Sequence, residues 1–541
     1  MRTLRSDPEL FELEARVQFH AKQFGRTLPE MRFFILNAHE FMALLEKKVY
    51  PTSPTNIWEG KRMVTRKFRV ESGQESALYY EVVQTGNPSY AYLNHTNNAM
   101  TQASVMAHVV GHCEFSELNV LRDSTRDRTE RVMHLVRKVE LGQQQMGEQN
   151  YRQYWNALES ATTLMAPNSQ YNFENSVDTE ILIERRHPVE EAEPELATSV
   201  LQPYSSTLEA LLRPMPTRHV VEEDLKTRLR QEALSRRGYK LRAPCQDVLA
   251  FLRAFAPASR AEKAMLDYFY IVHAPQDFVI RTQIMNEGWA MYWEKKIMLE
   301  LFKERAVTGI VDYAKTFSGV CYPRPYYARN PYHLGFHMWN HIEELYRSGK
   351  VSLDFLEEKD QANKMQWDKP SNRDPIEAMG HLVRTVTDYE FLRRFLTPQL
   401  IHQFHLNRIP QRDAARFGIS KKDVIQEDRF YVWVDPEPIK DEMLRFFTHF
   451  YRPRIYLIDT DFEDGGLLLY HRDDGRRLKL DWIRPTLKNL NMIWKGAIYL
   501  ASRGTLYGFT GGRYKEMRVG EITFERVLER IMQGKKPMEI A

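Results

Sequence analysis

The stretch His108-Val109-Val110-Gly111-His112 decides the fold, together with a second stretch, Asn286-Glu287-Gly288-Trp289-Ala290. Two histidines four residues apart on a helix project from the same face, one turn from each other, which is the spacing that binds a transition-metal ion. Two imidazoles and a carboxylate match the ligand preference of zinc, and three protein ligands leave one coordination position open. The sequence therefore predicts a metal site of His108, His112 and Glu287.

The residue after the first histidine limits the chemistry of this site. Zinc peptidases with a His-Glu-x-x-His helix carry their general-base glutamate at that position, and they take a third ligand from a later glutamate, which Glu287 matches. This chain has Val109 there, a residue with no titratable group. Proton transfer would therefore need another side chain. Three residues near the two motifs are candidates for this catalytic role: Glu294, His95 and Glu114.

Several of the predicted site residues also have a structural interpretation. Glu294 follows Glu287 by two helical turns on the same face; alternatively, it is an exposed charge that pairs with Lys295, Lys296 or a neighbouring element. Glu114 is expected to face away from His112 unless the helix ends early. Without a metal ion, the two histidines would be buried core residues and Glu287 would cap a helix or form a structural ion pair.

Other polar residues fit a metal site less well. The series His333, His337 and His341 repeats at every fourth position, but no acidic residue shares its face, so we interpret these histidines as packing or solvent-facing residues. Asn94 and Asn97 lie in the polar turn before the helix that carries His108 and His112, where they either orient a substrate or cap the helix.

The composition describes a globular chain with balanced charge. Its 541 residues correspond to roughly three to four domains by length alone. Lysine and arginine together number 76 and aspartate and glutamate 72, so the net charge is +4. This balance argues against binding to nucleic acid or to an anionic membrane surface.

Compartment signals favour the cytoplasm. The cysteines are odd in number and far apart, which argues against a disulfide framework and suits a reducing compartment. They are Cys113, Cys245 and Cys321. The first ten residues lack the apolar region of a signal peptide. No run of about eighteen uncharged apolar residues is present, so no transmembrane segment is predicted.

Pattern and composition divide the chain into four parts. They are an α+β region with the His-x-x-x-His helix (1–177), a charged, proline-rich linker or excursion (178–245), a helical region with the Asn-Glu-Gly-Trp-Ala motif (246–410) and a small α+β C-terminal domain (411–541). The first and third parts are expected to pack as one domain. The predicted fold class is α+β: a mainly helical N-terminal and central region around a helical metal-site core of the gluzincin type, plus the C-terminal domain.

Hydrophobic periodicity and turn signals predict the individual elements. Helices are predicted at 8–24, 98–117, 129–165, 282–302, 332–346 and 483–494. Strands are predicted at 77–83, 455–458, 467–470 and 497–500.

Several motifs, taken together, are specific enough to suggest a family. They are Asn87-Pro-Ser-Tyr-Ala-Tyr-Leu93, Ala107-His-Val-Val-Gly-His112, Ile284-Met-Asn-Glu-Gly-Trp-Ala290, Asn330-Pro-Tyr332 and Leu467-Leu-Leu-Tyr-His471. This combination resembles the SpoVR family, the stage V sporulation protein R-like proteins, over nearly the whole chain. The resemblance implies a cytoplasmic bacterial protein, linked in spore-forming bacteria to the spore cortex and without a settled biochemical activity.

The chain departs from the pattern of that family at three places. It has Glu114-Phe115-Ser116 where the family has Asp-Phe-Phe, and Trp293-Glu294 where the family has Trp-His. Tyr268 and Phe269 stand where the family has paired acidic residues. These changes keep the three predicted metal ligands and alter the acid–base groups around them.

Two functional hypotheses follow from these observations. The first is a metal-dependent, hydrolase-like enzyme with zinc as its cofactor, acting on peptide or cell-wall material in spore-cortex or stress physiology. The second is a non-catalytic regulatory or interaction protein with a degenerate metal site, whose C-terminal domain binds a protein partner. The three-ligand motif favours the first hypothesis, and Val109 favours the second.

Overall fold

A computed structural model describes residues 2–37, 40, 82–86, 88–122, 128–167, 183–185, 239–241, 243–370, 373–449, 452–463, 465–473, 475 and 477–538. Across these ranges the chain is mainly helical and contains four small β-sheets, which confirms the predicted α+β fold. Within the same ranges, no helix combines the length and the apolar content that crossing a membrane requires.

The described residues form the following helices and strands, each numbered in chain order. The helices are α1 (Pro8–Gln23), α2 (Ala99–Leu118), α3 (Arg128–Met146), α4 (Glu148–Ala161), α5 (Val248–Phe255), α6 (Arg260–Lys303), α7 (Ile310–Val320), α8 (Pro331–Arg347), α9 (Leu353–Glu357), α10 (Gln361–Met365), α11 (Pro375–Thr385), α12 (Asp388–Phe395), α13 (Pro398–Gln403), α14 (Gln411–Phe417), α15 (Glu437–His449), α16 (Leu480–Trp494) and α17 (Phe524–Met532). The strands are β1 (Arg2–Thr3), β2 (Met31–Leu36), β3 (Val82–Gln84), β4 (Ser89–Asn94), β5 (Ile183–Arg185), β6 (Tyr239–Leu241), β7 (Arg408–Pro410), β8 (Val424–Glu427), β9 (Tyr431–Val434), β10 (Arg454–Phe462), β11 (Gly466–Arg472), β12 (Ile498–Ser502), β13 (Thr505–Thr510) and β14 (Arg513–Arg518).

Helix ends that are encoded by local caps agree with the prediction. Helix α1 begins after Asp7, whose side chain accepts a hydrogen bond from the Leu10 N–H, and it ends just before Gly25, which has a φ of +71°. Helix α2 begins after Asn98, whose side chain accepts from the Thr101 N–H. The predicted helices at 8–24 and 98–117 are thus confirmed.

Two predicted helices differ from the structure. The helix predicted at 129–165 is divided into α3 and α4 by Gly147, whose φ of +78° lies in the left-handed region. The helix predicted at 282–302 is only the last part of α6, which extends back to Arg260 with Pro275 in its interior. Both errors have a local cause, because a single glycine is tolerated in a helical pattern and a proline ordinarily interrupts one.

The chain forms two compact units. Unit one comprises Met1–Arg131 and Phe278–Phe450, and unit two comprises Val132–Asp277 and Tyr451–Ala541. The domain limits predicted from composition stay a prediction. Most of the predicted linker lies outside the described residues.

In unit one, a small sheet leads into the helix that carries the two histidines. Its strand order is β1-β2-β4-β3, and β2 and β4 are parallel. The strand predicted at 77–83 is described from Val82 onward, as β3. Helix α2 follows β4 after a short turn, and nearly every residue between Gln102 and Phe115 is buried. Because α2 is covered on all sides, its apolar residues join the core of unit one.

In unit two, a five-stranded sheet has the order β10-β11-β12-β13-β14. Strands β11 and β12 are parallel, and the other neighbours are antiparallel. Phe524 and Val527 of α17 share an apolar cluster with Tyr456 and Leu468 of the sheet. The strands predicted at the C-terminal end are confirmed as β10, β11 and β12.

Candidate metal centre

Two histidines of α2 form one side of the candidate site. His108 and His112 are both buried, and the centroids of their rings are 4.7 Å apart. Helix geometry alone produces this pairing, since residues i and i+4 lie one above the other on the same face.

Glu287 of α6 completes the group. Its Oε2 atom lies 3.3 Å from Nε2 of His112 and 3.8 Å from Nε2 of His108. One ligand atom from each of the three residues lies within 4.8 Å of the other two. The group predicted from the sequence is therefore assembled in the structure and could hold a metal ion.

Small residues allow the helices that carry these ligands to approach closely. A Cβ atom built on Gly111 of α2 would stand 2.5 Å from Cα of Ala290 in α6. A Cβ atom on Gly288 of α6 would stand 2.2 Å from the carbonyl carbon of Gly335 in α8. Larger residues at these contacts would separate the helices. On α6 the two contacts are made by Gly288 and Ala290, which follow Glu287 within one turn, and so they set its position relative to the histidines.

A buried aspartate holds the turn of α6 that precedes the glutamate. Asp388, at the start of α12, accepts hydrogen bonds from the backbone N–H groups of Ile284 (2.8 Å) and Met285 (2.9 Å). In a regular helix such groups donate to carbonyl groups four residues earlier, so this carboxylate acts as a cap within α6. Burial raises the pKa of Asp388 to about 8, although the two N–H groups act to lower it. Trp339 Nε1 also donates to the carbonyl of Met285 over 2.9 Å.

Each histidine is oriented through its Nδ1 atom. Nδ1 of His108 lies 2.8 Å from Oε2 of Glu294, and the Ser104 hydroxyl donates to Oε1 of the same carboxylate over 2.6 Å. Nδ1 of His112 lies 2.8 Å from Oδ1 of Asn286. With Nδ1–H donating to these oxygens, each neutral ring has its lone pair on Nε2, the atom that faces Glu287.

The charges at the site favour an ionised glutamate. Burial raises the pKa of Glu287, but the neighbouring His112 and His108 lower it by more than burial raises it. The pKa therefore falls to about 2. The Glu287 side chain is 19% exposed, against 8% for His108 and 6% for His112, so the group meets solvent at the glutamate. A deprotonated carboxylate beside two imidazoles is the state that binds a cation.

Glu294, the first residue predicted for proton transfer, does reach the group. It is buried, so the alternative interpretation as an exposed charge paired with a lysine is wrong. Its carboxylate meets His108 at Nδ1, however, which is the edge of the ring turned away from Glu287.

Glu114 and His95, the other two residues predicted for proton transfer, are not brought to the group. Glu114 is buried, and its carboxylate accepts hydrogen bonds from Trp289 Nε1 (3.0 Å) and from the Thr27 N–H (2.9 Å). These partners hold it on another face of α2. His95 is exposed in the turn between β4 and α2, which precedes the buried part of the helix.

Sequence reasoning missed two residues that help to orient the histidines: Asn286 contacts His112, and Ser104 contacts Glu294, which in turn contacts His108. Asn286 directly precedes Glu287, and Ser104 lies one turn before His108 on α2. The spacing of Ser104 was a usable signal, since residues i and i+4 share a helix face. For Asn286 the signal was its place in the same motif as the glutamate.

The histidines of α8 make hydrogen bonds and packing contacts inside the protein. Nδ1 of His333 lies 2.9 Å from the carbonyl oxygen of Cys321, and its Nε2 lies 3.1 Å from that of Phe404. Burial lowers the pKa of His333, His337 and His341, that of His337 to about 4. In the described part of the chain these histidines do not belong to the group that could hold a metal ion.

The asparagines before α2 have local roles. Asn98, the residue after the predicted pair, is the cap of α2. The Asn94 side chain accepts hydrogen bonds from the N–H and the hydroxyl of Thr96, and its backbone carbonyl accepts from Asn97. Asn94 thus shapes the turn that leads into the helix.

Comparisons with known proteins give one family. The family model described as SpoVR like protein matches residues 6–435. The chain is similar to the "Uncharacterized protein YcgB" of Escherichia coli (strain K12), with 26% identity over 378 residues. That alignment covers 66% of each chain, so it spans about two thirds of the length of the relative. No solved structure matches the chain significantly.

Proposed function

Since this chain belongs to the SpoVR-like protein family, we propose that it is a metalloprotein whose His108, His112 and Glu287 bind one zinc-type divalent ion in a hydrolase-like centre. The observation that carries this proposal is the convergence of one ligand atom from each residue within 4.8 Å. When bound, such an ion supplies Lewis acidity: it polarises a substrate oxygen and lowers the pKa of a coordinated water.

The donor set and its spacing support zinc as the ion. Two imidazoles and one carboxylate form a three-ligand set that leaves a fourth position open, as in catalytic zinc sites. With bonds of about 2.1 Å, the ligand atoms around a tetrahedral zinc ion lie roughly 3.4 Å apart. Oε2 of Glu287 lies 3.3 and 3.8 Å from the two Nε2 atoms, near that value, and the three ligand atoms all lie within 4.8 Å of one another.

The residues of the chain would bind and orient the ion, and the partly exposed side of Glu287 is where a substrate would approach. We take peptide or cell-wall amide bonds as the first substrate class to test, in keeping with the association of the SpoVR family with the spore cortex. A cytoplasmic location is part of the same proposal.

A second function, a non-catalytic metal site in a regulatory or interaction protein, is favoured by one specific observation. Val109, at the position of a peptidase's general base, is fully buried in the core. The nearby acids Glu294 and Glu114 each have both carboxylate oxygens hydrogen-bonded to other side chains or backbone. In this alternative the ion stabilises the helical core, and the C-terminal domain binds a protein partner.

Metal analysis of the purified chain tests the proposal. We expect about one equivalent of zinc in the wild type and none in a His108→Ala/His112→Ala variant. The chain offers a matched control, His337→Ala/His341→Ala, which removes two histidines of the same spacing from α8 and should keep the metal. A folded wild type that binds no ion would overturn the proposal.

Removal of the ion separates the two functions. If a chelator leaves the circular dichroism and the unfolding transition unchanged while amide hydrolysis stops, the site is catalytic. If the ion's removal unfolds the chain, and no hydrolysis is measured with the loaded protein, the site is structural.

A further inference from the structure

We propose that Glu294 is a positioning residue of the metal centre, which acts with Ser104 to hold the His108 ring so that its Nε2 atom faces Glu287. This inference rests on the proposed metal site, because it assigns a role at the same group of residues. It replaces the general-base role that the sequence suggested for Glu294.

The first step of the argument is the position of the carboxylate. Glu294 is buried on α6, and each of its two carboxylate oxygens forms a hydrogen bond with a different residue of α2. These two residues lie one turn apart. Oε1 accepts from the Ser104 hydroxyl at 2.6 Å, and Oε2 lies 2.8 Å from Nδ1 of His108. A carboxylate held at both oxygens has one orientation, and it fixes the rotation of the ring.

The second step is which edge of the ring the carboxylate meets. Nδ1 and Nε2 lie on different edges of an imidazole, and Nε2 of His108 is the atom nearer Glu287, at 3.8 Å. Glu294 therefore lies behind His108 as seen from the metal group. From there it can hold a proton on Nδ1, but it has no direct path to a substrate on the side of Glu287.

The third step is the electronic consequence for the ligand. A histidine that donates its Nδ1 proton to a carboxylate becomes a stronger electron donor at Nε2, and loss of such a partner typically lowers metal affinity 10- to 100-fold. His112 donates to Asn286, a neutral amide. The two ligands are therefore unequal, and His108 should be the stronger one.

The test measures metal binding by the full-length chain. The zinc dissociation constant, from competition with a chelator, and the visible absorption of the cobalt-substituted protein would be compared for the wild type, Glu294→Gln, Glu294→Ala and Ser104→Ala. We expect zinc affinity to fall about 10-fold in Glu294→Gln and about 100-fold in Glu294→Ala, with an altered cobalt spectrum. Ser104→Ala should have a smaller effect in the same direction.

A control variant separates positioning from stability. Glu300→Gln removes another carboxylate from α6, one that pairs with Lys303 at the surface, and should leave zinc affinity and the cobalt spectrum unchanged. A purely structural role of Glu294 would lower the unfolding temperature of the metal-free protein without changing the spectrum of the loaded one. If Glu294→Ala does not fold, Glu294→Gln and Ser104→Ala decide the question.

The failures of the two proposals are distinguishable. Wild-type affinity and an unchanged spectrum in the Glu294 and Ser104 variants would overturn the positioning role, while the metal site would stand if His108→Ala abolished binding. A wild type without metal, or a His108→Ala variant with full affinity, would overturn the metal site and with it the positioning role.

Discussion

Gly111 of α2 lies directly against Ala290 of α6, so closely that a Cβ atom on Gly111 would stand 2.5 Å from the Cα of Ala290. The backbones of the two helices are therefore in contact at the level of the metal group. His112 follows Gly111 immediately, and Glu287 lies one turn before Ala290. This contact sets the distance between the candidate ligands that the two helices contribute.

Substitution of this glycine should loosen the site. We expect Gly111→Ala to lower the free energy of unfolding by about 1–3 kcal/mol, because the helices must separate to admit the methyl group. Zinc affinity should fall as well. Urea unfolding and metal titration measure the two effects. The control is Gly319→Ala in α7, where no atom lies within 4 Å of the added Cβ, and there stability should rise by up to about 1 kcal/mol. Equal stability of Gly111→Ala and wild type would contradict the prediction.

The contact between α6 and α8 is tighter still. A Cβ atom on Gly335 would stand 2.0 Å from the carbonyl oxygen of Ile284, a backbone atom that cannot rotate away. We expect Gly335→Ala to cost on the order of 3 kcal/mol, measured by equilibrium unfolding. Gly380→Ala in α11 is the control, since the atom nearest to a Cβ added there is at the flexible end of the Arg384 side chain, 3.4 Å away. Similar losses in both variants would show that the close approach is not the cause.

Glu114 is expected to stabilise the fold and not to take part in catalysis. Its side chain is 2% exposed and lies 3.5 Å from Arg26, whose side chain is 9% exposed. Glu114→Ala would leave the arginine and the Trp289 indole N–H without this acceptor, at a cost of about 3–5 kcal/mol. Glu117→Ala, at an exposed position of the same helix, should change stability by less than about 0.5 kcal/mol. A stable Glu114→Ala variant that had lost only activity would reverse this assignment.

Burial of the α8 histidines predicts a dependence of stability on pH. Burial, with His333 and Lys295, lowers the pKa of His337 from 6.5 to about 4 in the folded chain. Between these two values the unfolded chain binds more protons than the folded one, so stability falls as the pH is lowered from about 6.5 to about 4.

In His337→Gln this contribution is absent, and the free energy of unfolding should fall less steeply over the same pH range. The two proteins differ only at this residue, so the difference between the two curves reports on His337. His381→Gln, at an exposed position of α11, is the control and should leave the slope of the wild type. Parallel curves for His337→Gln and wild type would refute the prediction.

The orientation of the second histidine should also matter for metal binding. Asn286→Ala removes the oxygen that accepts from Nδ1 of His112. We expect zinc affinity to fall about 10-fold, the lower end of the range for such partners, because an amide is a weaker acceptor than a carboxylate. Chelator competition measures the change, and Asn363→Ala at an exposed position is the control. Unchanged affinity in Asn286→Ala would show that His112 is held by other contacts.

Local patterns predicted the elements that carry the site, since each depends on residues within a turn or two. The cap region before α2 and the spacing of His108 and His112 were sufficient to predict the helix and the shared face of the two rings. The motif around Glu287 suggested the third ligand. The sequence did not predict that α6 continues back through Pro275 to Arg260, because a proline usually marks a helix end.

The sequence by itself thus determined the fold class and identified three candidate metal ligands, because spacing and residue type are local properties. Only the tertiary structure decided what the neighbouring acids do. Glu114 and Glu294 are both carboxylates near the motifs, yet one meets Trp289 and the other meets His108. That difference arises where α2 and α6 pack together, and a contact between segments so far apart in the chain leaves no periodic signal in either one.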